Sequence, residues 1–453
     1  MGNELISGLE VTDYEVAGYV DLVRDALQIV LEGWRAADPY ASVVKHVSTY
    51  GSAVRVCEKL YNPRNIHVVG FGKASLRMLE ALCDVLGDKV AGGVVINPIV
   101  EGRFCGVDVL KGDHPLPGMM TLQSSMRLIN YLESVSGDDL VFVLISGGGS
   151  ALFEIPEEGL SISDVAEVSR LLMSGGADIY ELNTVRKHLS RVKGGKLLKF
   201  LKSEVVSLVV SDVVGDDLSV VASGPTYPDQ TTFRDTYEIM KSRGVYDKVP
   251  ESVRELVKKG LRGLVNETLK ADDPSFNRVY NVVIASNTTS LRVMESRARE
   301  KGYNTLLLTP YLTGEAREVG KVLAGVIKSV AILGIPVMRP AAIIAGGETT
   351  VTVRGSGVGG RNQELCLSLT AEIKEISGVV ALCVGSDGVD GVSPAAGAVT
   401  SSKVFKKALE LGLDPLTYLR NNDSYTFFSK LGLAIHTGYT GTNVNDFFIA
   451  LIC

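Results

Sequence analysis

From about Tyr14 to Ala37 apolar residues recur at helical spacing, and the run stops before Asp38-Pro39, so the segment predicts a helix. Beyond it, short β-branched runs alternate with amphipathic stretches. Strands are predicted over 65–70, 92–96, 140–145 and 207–211, with helices from about Ser75 and near 122–135. That alternation specifies a parallel, doubly wound sheet with both faces covered. Between about Asp229 and Arg278 the strand signal disappears and the chain turns polar and helical, with Pro250 and Pro274 as breakers. A domain boundary is expected there. Strands return at 279–286, 304–308, 341–345, 379–384 and 446–452, a further one is expected over 348–354, and a long helix spans about 314–333. The expectation is therefore two α/β domains, 1–275 with a parallel sheet and 276–453 of mixed α/β type. A polar connection between them suggests hinge closure over a substrate. No internal repeat is visible.

Composition narrows the function. A chain of 453 residues exceeds one hydrophobic core, and 45% hydrophobic with 22% charged residues is the balance of a globular protein. The net charge of -6, with no extended basic stretch, argues against nucleic acid as a partner. Ser329 to Met338, among the longest uncharged apolar stretches, is about half a membrane span and holds Pro336. The start of the chain, with Glu4, Glu10 and Asp13, does not read as a signal peptide, so a cytoplasmic location is expected. The six cysteines, at 57, 83, 105, 366, 383 and 453, form no CxxC pair, which predicts reduced thiols rather than disulfides or zinc ligands. The five histidines lack metal-site spacing as well.

The candidate chemistry lies at predicted strand ends. The first strand of the parallel sheet runs into Gly70-Phe71-Gly72-Lys73-Ala74-Ser75, where two glycines bend the chain and an ammonium group meets a helix N-terminus, an arrangement that favours an anion. It is not a P-loop, and the competing reading is a tight turn with a solvated lysine. Ser146-Gly147-Gly148-Gly149-Ser150 follows the very apolar 140–145 strand and offers a nest of N–H donors with two hydroxyls, suited to phosphate. The segment 183–196 carries Arg186, Lys187, His188, Arg191, Lys193 and Lys196; helical spacing would put Arg186 and Lys193 on one face, as a ligand platform or as a solvated surface. Asp212, Asp216 and Asp217 follow another strand and suit Mg²⁺, proton transfer or helix capping. In the second domain, Gly346-Gly347-Glu348, Arg361-Asn362-Gln363-Glu364 and the Asp387-to-Gly391 loop adjoin strand ends, and the two Asp-Gly pairs fit metal ligation or plain turns. The glycine-rich loops 359–364 and 437–443 are expected to form an anion site with 146–151.

These ordered motifs resemble the glycerate 2-kinase family, whose C-terminal part is called the MOFRL domain. The resemblance runs through Ala37-Asp38-Pro39-Tyr40, Gly72-Lys73-Ala74-Ser75, His114-Pro115, the 146–152 run, 183–197, Ser211-Asp212, Ala222-Ser223-Gly224-Pro225, Gly346-Gly347-Glu348-Thr349-Thr350, 359–364, Asp387-Gly388 and Thr440-Gly441-Thr442-Asn443. Asp113 and Pro394 depart from the family pattern. The resemblance implies a Rossmann-like domain, a smaller MOFRL-type α/β domain, and a cleft between them where ATP and a divalent cation such as Mg²⁺ serve phosphorylation of D-glycerate at its 2-hydroxyl. It implies Lys73, Asp212 and Arg361 as the catalytic set, with Arg361 reaching across from the second domain. Ser146, Gly147, Gly148, Gly149, Ser150, Arg186, Lys196, Asn287, Gly347, Glu348, Asn362, Thr442 and Asn443 are the candidates for holding nucleotide or glycerate, and Asp212 and Asp387 for the metal. No membrane or nucleic-acid partner is expected, and a homodimer is left open. An alternative, an NAD(P)-dependent hydroxypyruvate reductase, lacks a full GxGxxG after the first strand and has Asn97 where a ribose-binding acid would stand.

Overall fold

The structure is a computed structural model that describes residues 10–453 apart from 12 and 14, so Tyr14, at the start of the expected first helix, lies outside the described residues. The chain forms two compact units. One comprises Pro39–Ile284; the other joins the described residues up to Asp38 to Ala285–Cys453. The division differs from 1–275 and 276–453 in two ways. The first helix, Val20–Ala36, belongs with the C-terminal half: it packs on the Asn287–Glu300 helix, Trp34 donates its indole N–H to the Ser386 carbonyl at 3.1 Å, and Lys301 meets Asp25 at 2.6 Å. Helical periodicity carries no information on which distant face a stripe will cover.

The second difference is the polar segment expected as a boundary. It is part of the Pro39–Ile284 unit, where helices Phe233–Ser242 and Glu251–Leu261 bury Phe233, Met240, Val253 and Val257 against Val165, Leu172, Leu182 and Val185 of helices Ile162–Ser174 and Ile179–Leu189. Its helices are polar on one side only. Three of the four start at capping boxes, Ser161 with Asp164, Asp178 with Glu181, and Thr232 with Asp235, each satisfying backbone donors at both the cap and the third helical residue.

The sheet of this unit has the spatial order Val279–Ala285, Glu204–Val210, Leu140–Ile145, Ile66–Phe71, Val90–Asn97, Val107–Lys111, Gly102–Phe104. The pairings from Glu204–Val210 through Val107–Lys111 are parallel, and Gly102–Phe104 adds an antiparallel edge. The chain lays strands outward on one side of Ile66–Phe71, then crosses to lay Leu140–Ile145 on the other. The order therefore reverses between those two strands, and a crevice forms outside their carboxyl ends. Leu140–Ile145 is buried throughout, consistent with its unbroken apolar run.

The smaller unit has a mixed sheet in the order Glu10–Val11, Ala434–His436, Gly397–Ser401, Val379–Gly385, Asp446–Ile452, Ala341–Gly347, Asn304–Leu312. Only the last pair is parallel. The strand expected over 348–354 is absent: the segment makes a single bridge, Thr350 to Glu315. The helix expected over 314–333 is Ala316–Lys328 followed by a π turn, Ser329–Leu333.

Two further expectations are corrected. Cys83, in the Ser75–Leu86 helix, and Cys105, at the turn between Gly102–Phe104 and Val107–Lys111, form a disulfide with Cα atoms 6.2 Å apart. The fold brings together two positions 22 residues apart that no sequence spacing links. The Ile179–Leu189 helix stops before Arg191, since Ser190 is extended, so Arg186 and Lys193 do not share a helical face. Among the described residues no helix is long and apolar enough to cross a membrane.

Candidate active site

In the larger unit the register sets the site. Phe71 pairs with Ile145 and with Ile96, and Ile145 pairs with Val209, so the parallel strands end almost level. The loops that follow, Gly72-Lys73, Ser146 to Gly149 and Ser211-Asp212, emerge side by side at the carboxyl edge. They are stitched together: Lys73 N–H donates to the Gly147 carbonyl at 2.9 Å, and Ala74 N–H donates to Ser146 Oγ at 3.0 Å. Ser146 is buried, so its hydroxyl anchors the start of the Ser75–Leu86 helix.

Two glycines leave the space. Gly148 has φ +79°, and a side chain there would lie 3.1 Å from the His114 ring and 3.4 Å from Lys73 Cε. A side chain on Gly147 would run into the Asp212 carboxylate. The Gly147-Gly148 turn is thus flanked by Lys73 and His114 through one residue and by Asp212 through the other. Lys73 and His114 are exposed and Asp212 half-buried. Desolvation by the packed loops, then the Lys73 ammonium, hold the His114 pKa below its ordinary value, so the imidazole is neutral at pH 7. His114 stood in the sequence only as part of a motif. Its neighbour Asp113, the departure noted above, accepts the Thr121 N–H at 3.0 Å at the first turn of the Met119–Glu133 helix.

Ser150 lies on the next turn, and its hydroxyl meets Ser223 Oγ at 2.8 Å. Ser223 belongs to Ala222-Ser223-Gly224, three consecutive left-handed residues with φ of 49°, 63° and 59°. Two of these are not glycine, a conformation that costs about 1–3 kcal/mol per residue and persists where surroundings impose it.

The lysines of the basic segment 183–196 point inward, while Arg191 is exposed. Lys187 pairs with Asp229 at 2.9 Å, Lys193 with Glu154 at 2.5 Å, and Lys196 with Glu157 at 2.7 Å, all three lysines being buried. Arg186 donates through Nε to Ser169 Oγ at 3.1 Å. Of the two candidates from this segment, Lys196 is engaged in an internal ion pair, and Arg186 spends its Nε–H on Ser169 of the Ile162–Ser174 helix. Two of the acids that answer this basic run, Glu154 and Glu157, lie just after the glycine loop, and Asp229 is the third; a buried cation needs such a partner.

The smaller unit gathers a second cluster, again by register. Asp446 stands opposite Gly347 on one neighbouring strand and Gly385 on the other. Arg361, the first residue of the Arg361–Glu372 helix, donates to Asp446 through Nε at 2.6 Å and Nη2 at 3.0 Å, and to Glu348 through Nη1 at 2.7 Å. One N–H on each of Nη1 and Nη2 is left over for an anion. Attraction to Asp446 and Glu348 holds the guanidinium pKa above its ordinary value despite burial. Asn445 Nδ2 donates to Glu348 Oε2 at 3.1 Å.

Asp390 accepts the backbone N–H groups of Asn362 at 3.0 Å and Gln363 at 2.8 Å, an anion at a helix start. Burial, with Asp446 nearby, pushes its carboxyl up to about 7 against the pull of those donors. Asn287 donates to the Val444 and Asp446 carbonyls, both at 2.9 Å, while its Oδ1 is buried beside Gly346 with no hydrogen-bond partner among the described residues. Thr442 donates to the Ala37 carbonyl at 2.7 Å, and Asn443 Oδ1 accepts Asn445 N–H at 3.0 Å, so both are occupied in holding the loop. Asp387 Oδ1 accepts the Val389 N–H at 3.1 Å, as a turn residue does. No group of three or more His, Cys, Asp or Glu side chains among the described residues is arranged to hold a metal ion. Asp446 and Asp390, the acids that orient Arg361 and its helix, were missed as partners because only the folded register sets them beside it.

Residues 25–258 match a domain of unknown function, DUF4147, and residues 341–446 match the MOFRL family. The chain is 39% identical to a glycerate 2-kinase of Pyrococcus horikoshii over 96% of its own length and 98% of that protein. It is 40% identical to a D-glycerate 2-kinase of Thermotoga maritima over 86% of its length and 91% of that protein. An Agrobacterium vitis relative, 39% identical over 85% of this chain and 86% of its own, bears a provisional hydroxypyruvate reductase name. The crystal structure of a glycerate kinase from Thermotoga maritima superposes with a TM-score of 0.85 at 37% identity, covering 96% of this chain and all of that one. With both family models in order along the chain and relatives matched nearly end to end, the chain belongs to the glycerate 2-kinase family.

Proposed function

We propose that this protein transfers the γ-phosphoryl group of ATP to the 2-hydroxyl of D-glycerate, releasing ADP and 2-phosphoglycerate. The observation that carries this reading is the Gly147-Gly148 turn, flanked by the Lys73 ammonium and the Asp212 carboxylate at the switch point of a parallel sheet. Phosphoryl transfer asks for positioning and charge stabilisation more than covalent chemistry. Lys73 neutralises the oxygens of the migrating phosphoryl group. Asp212 accepts the proton of the attacking hydroxyl as its oxygen bonds phosphorus and the bond to the ADP oxygen breaks. The two unspent N–H groups of Arg361, held by Asp446 and Glu348, serve a phosphate or the glycerate carboxylate.

A divalent cation arriving with the nucleotide would neutralise phosphate charge, and Asp212 would hold it. Such ions are commonly bound by one or two carboxylates plus the substrate's own phosphates. The half-buried Asp212 carboxylate beside the Gly147 turn fits that mode, and Asp387, engaged in its turn, fits it less well.

The reading is tested by ADP release: the purified protein should consume ATP in the presence of D-glycerate and Mg²⁺ and not without the acid. Absence of glycerate-dependent ADP contradicts it. The reductase reading follows the name that two Agrobacterium vitis relatives bear. Asn97 at the second strand's end spends its side chain on Ile99, Val100 and Leu110, which leaves no acid there for a ribose. Oxidation of NADH by hydroxypyruvate would revive it.

A further inference from the structure

The hydrogen-bond chain from Ser150 has a fixed direction. Asn183 donates through Nδ2 to the Ile179 carbonyl at 2.8 Å, which sets the amide orientation and turns Oδ1 toward Ser223. Ser223 Oγ carries one hydrogen and gives it to Asn183 Oδ1 at 2.5 Å. The 2.8 Å contact between Ser150 and Ser223 must then be donated by Ser150. Its only hydrogen is spent inward. What Ser150 Oγ presents outward is lone pairs alone.

A hydroxyl in this state repels phosphate and carboxylate oxygens and attracts a donor, which removes Ser150 from the group expected to hold an anion. Asn183 and Ser223 are buried, whereas Ser150 is half-exposed, so the relay starts in the core and ends at the ligand loop. Ser223, which makes both contacts, sits in a left-handed stretch with Ala222, a conformation that persists where the surroundings impose it.

We propose that Ser150 is a specificity-determining residue that accepts a hydrogen bond from the substrate hydroxyl that is not phosphorylated. The inference rests on the kinase reading above. In D-glycerate that donor is the 3-hydroxyl; D-lactate is the same acid with hydrogen in its place. A site that bonds a hydroxyl rejects the analogue lacking it, since its own polar group is left unpaired.

The experiment compares wild type with Ser150→Ala and Ser150→Thr, using D-glycerate as substrate and D-lactate both as substrate and as competitive inhibitor, with thermal melting to check folding. Ser150→Ala should lower kcat/KM for D-glycerate by about tenfold to a hundredfold and leave the D-lactate constants unchanged, while Ser150→Thr keeps most of the discrimination. An equal loss for both acids, as a merely structural role would give, overturns the proposal. So does an unchanged glycerate-to-lactate ratio in Ser150→Ala. A folded wild type that phosphorylates neither acid defeats the kinase reading itself and this proposal with it.

Discussion

Lys73 owes its position to backbone bonds on both sides, its own N–H held by Gly147 and the next by Ser146, so its side chain can change without loss of the loop. Lys73→Ala is expected to lower turnover by about 10²-fold or more, since removing one preorganised charge-stabilising group typically has that effect. Circular dichroism and melting should be unaltered; near-wild-type turnover refutes its assignment. Arg361 differs, because removing it leaves the buried Asp446 unpaired. Arg361→Ala should therefore lower both turnover and stability, and Arg361→Lys should restore some stability but little activity, as an ammonium cannot reproduce the two-pronged bond. Asp390 supplies a pH signature. Its folded value, about 7, lies above that of an unfolded carboxyl, so folding takes up a proton. Its contribution to stability is complete below about pH 4 and is lost as pH rises through about 7. Denaturant titrations from pH 5 to 8 should show wild type losing stability relative to Asp390→Asn as pH rises; a constant difference rules out the elevated value.

At the scale of elements, legibility follows periodicity. The Leu140–Ile145 and Asp446–Ile452 strands stood out at their observed limits, because buried strands are unbroken apolar runs. The strand expected over 348–354 failed because, past the Glu348 N–H bond to Leu312, the backbone pairs only at Thr350, with Gly314 and Ala316, and no ladder continues. The glycine loops were legible as sharp turns at strand ends, and Gly148→Ala tests what they do: with φ +79° and His114 in the way, the turn must shift, so kcat/KM should fall by about tenfold or more while the melting point changes little. The basic 183–196 run was not legible, since pairing Lys193 with Glu154 requires the fold. Lys193→Met is expected to cost about 3–5 kcal/mol by stranding a buried carboxylate, and Lys193→Met with Glu154→Leu to recover most of it. Equal losses in the single and double variants, read by denaturation, would show that packing rather than charge sets the effect.

For the whole molecule, alternating strands and helices foretold two α/β units, yet not that the first helix would join the second unit, or that the polar 229–278 segment would carry a core of its own. Both depend on which faces meet across long stretches of chain, and a single sequence states only that a face exists. The placement of the candidate residues does not depend on those faces: Lys73 and Asp212 follow strands of one sheet, and Arg361 bonds Asp446 of the other. The central claim is a position on a three-carbon acid. Incubation with D-glycerate, ATP and Mg²⁺, followed by enolase alone without phosphoglycerate mutase, tests it most directly. Phosphoenolpyruvate formed by enolase alone means 2-phosphoglycerate, the predicted result. ADP release with no signal until mutase is added means the phosphate went to the 3-hydroxyl, and the account of Asp212 and Ser150 would be contradicted.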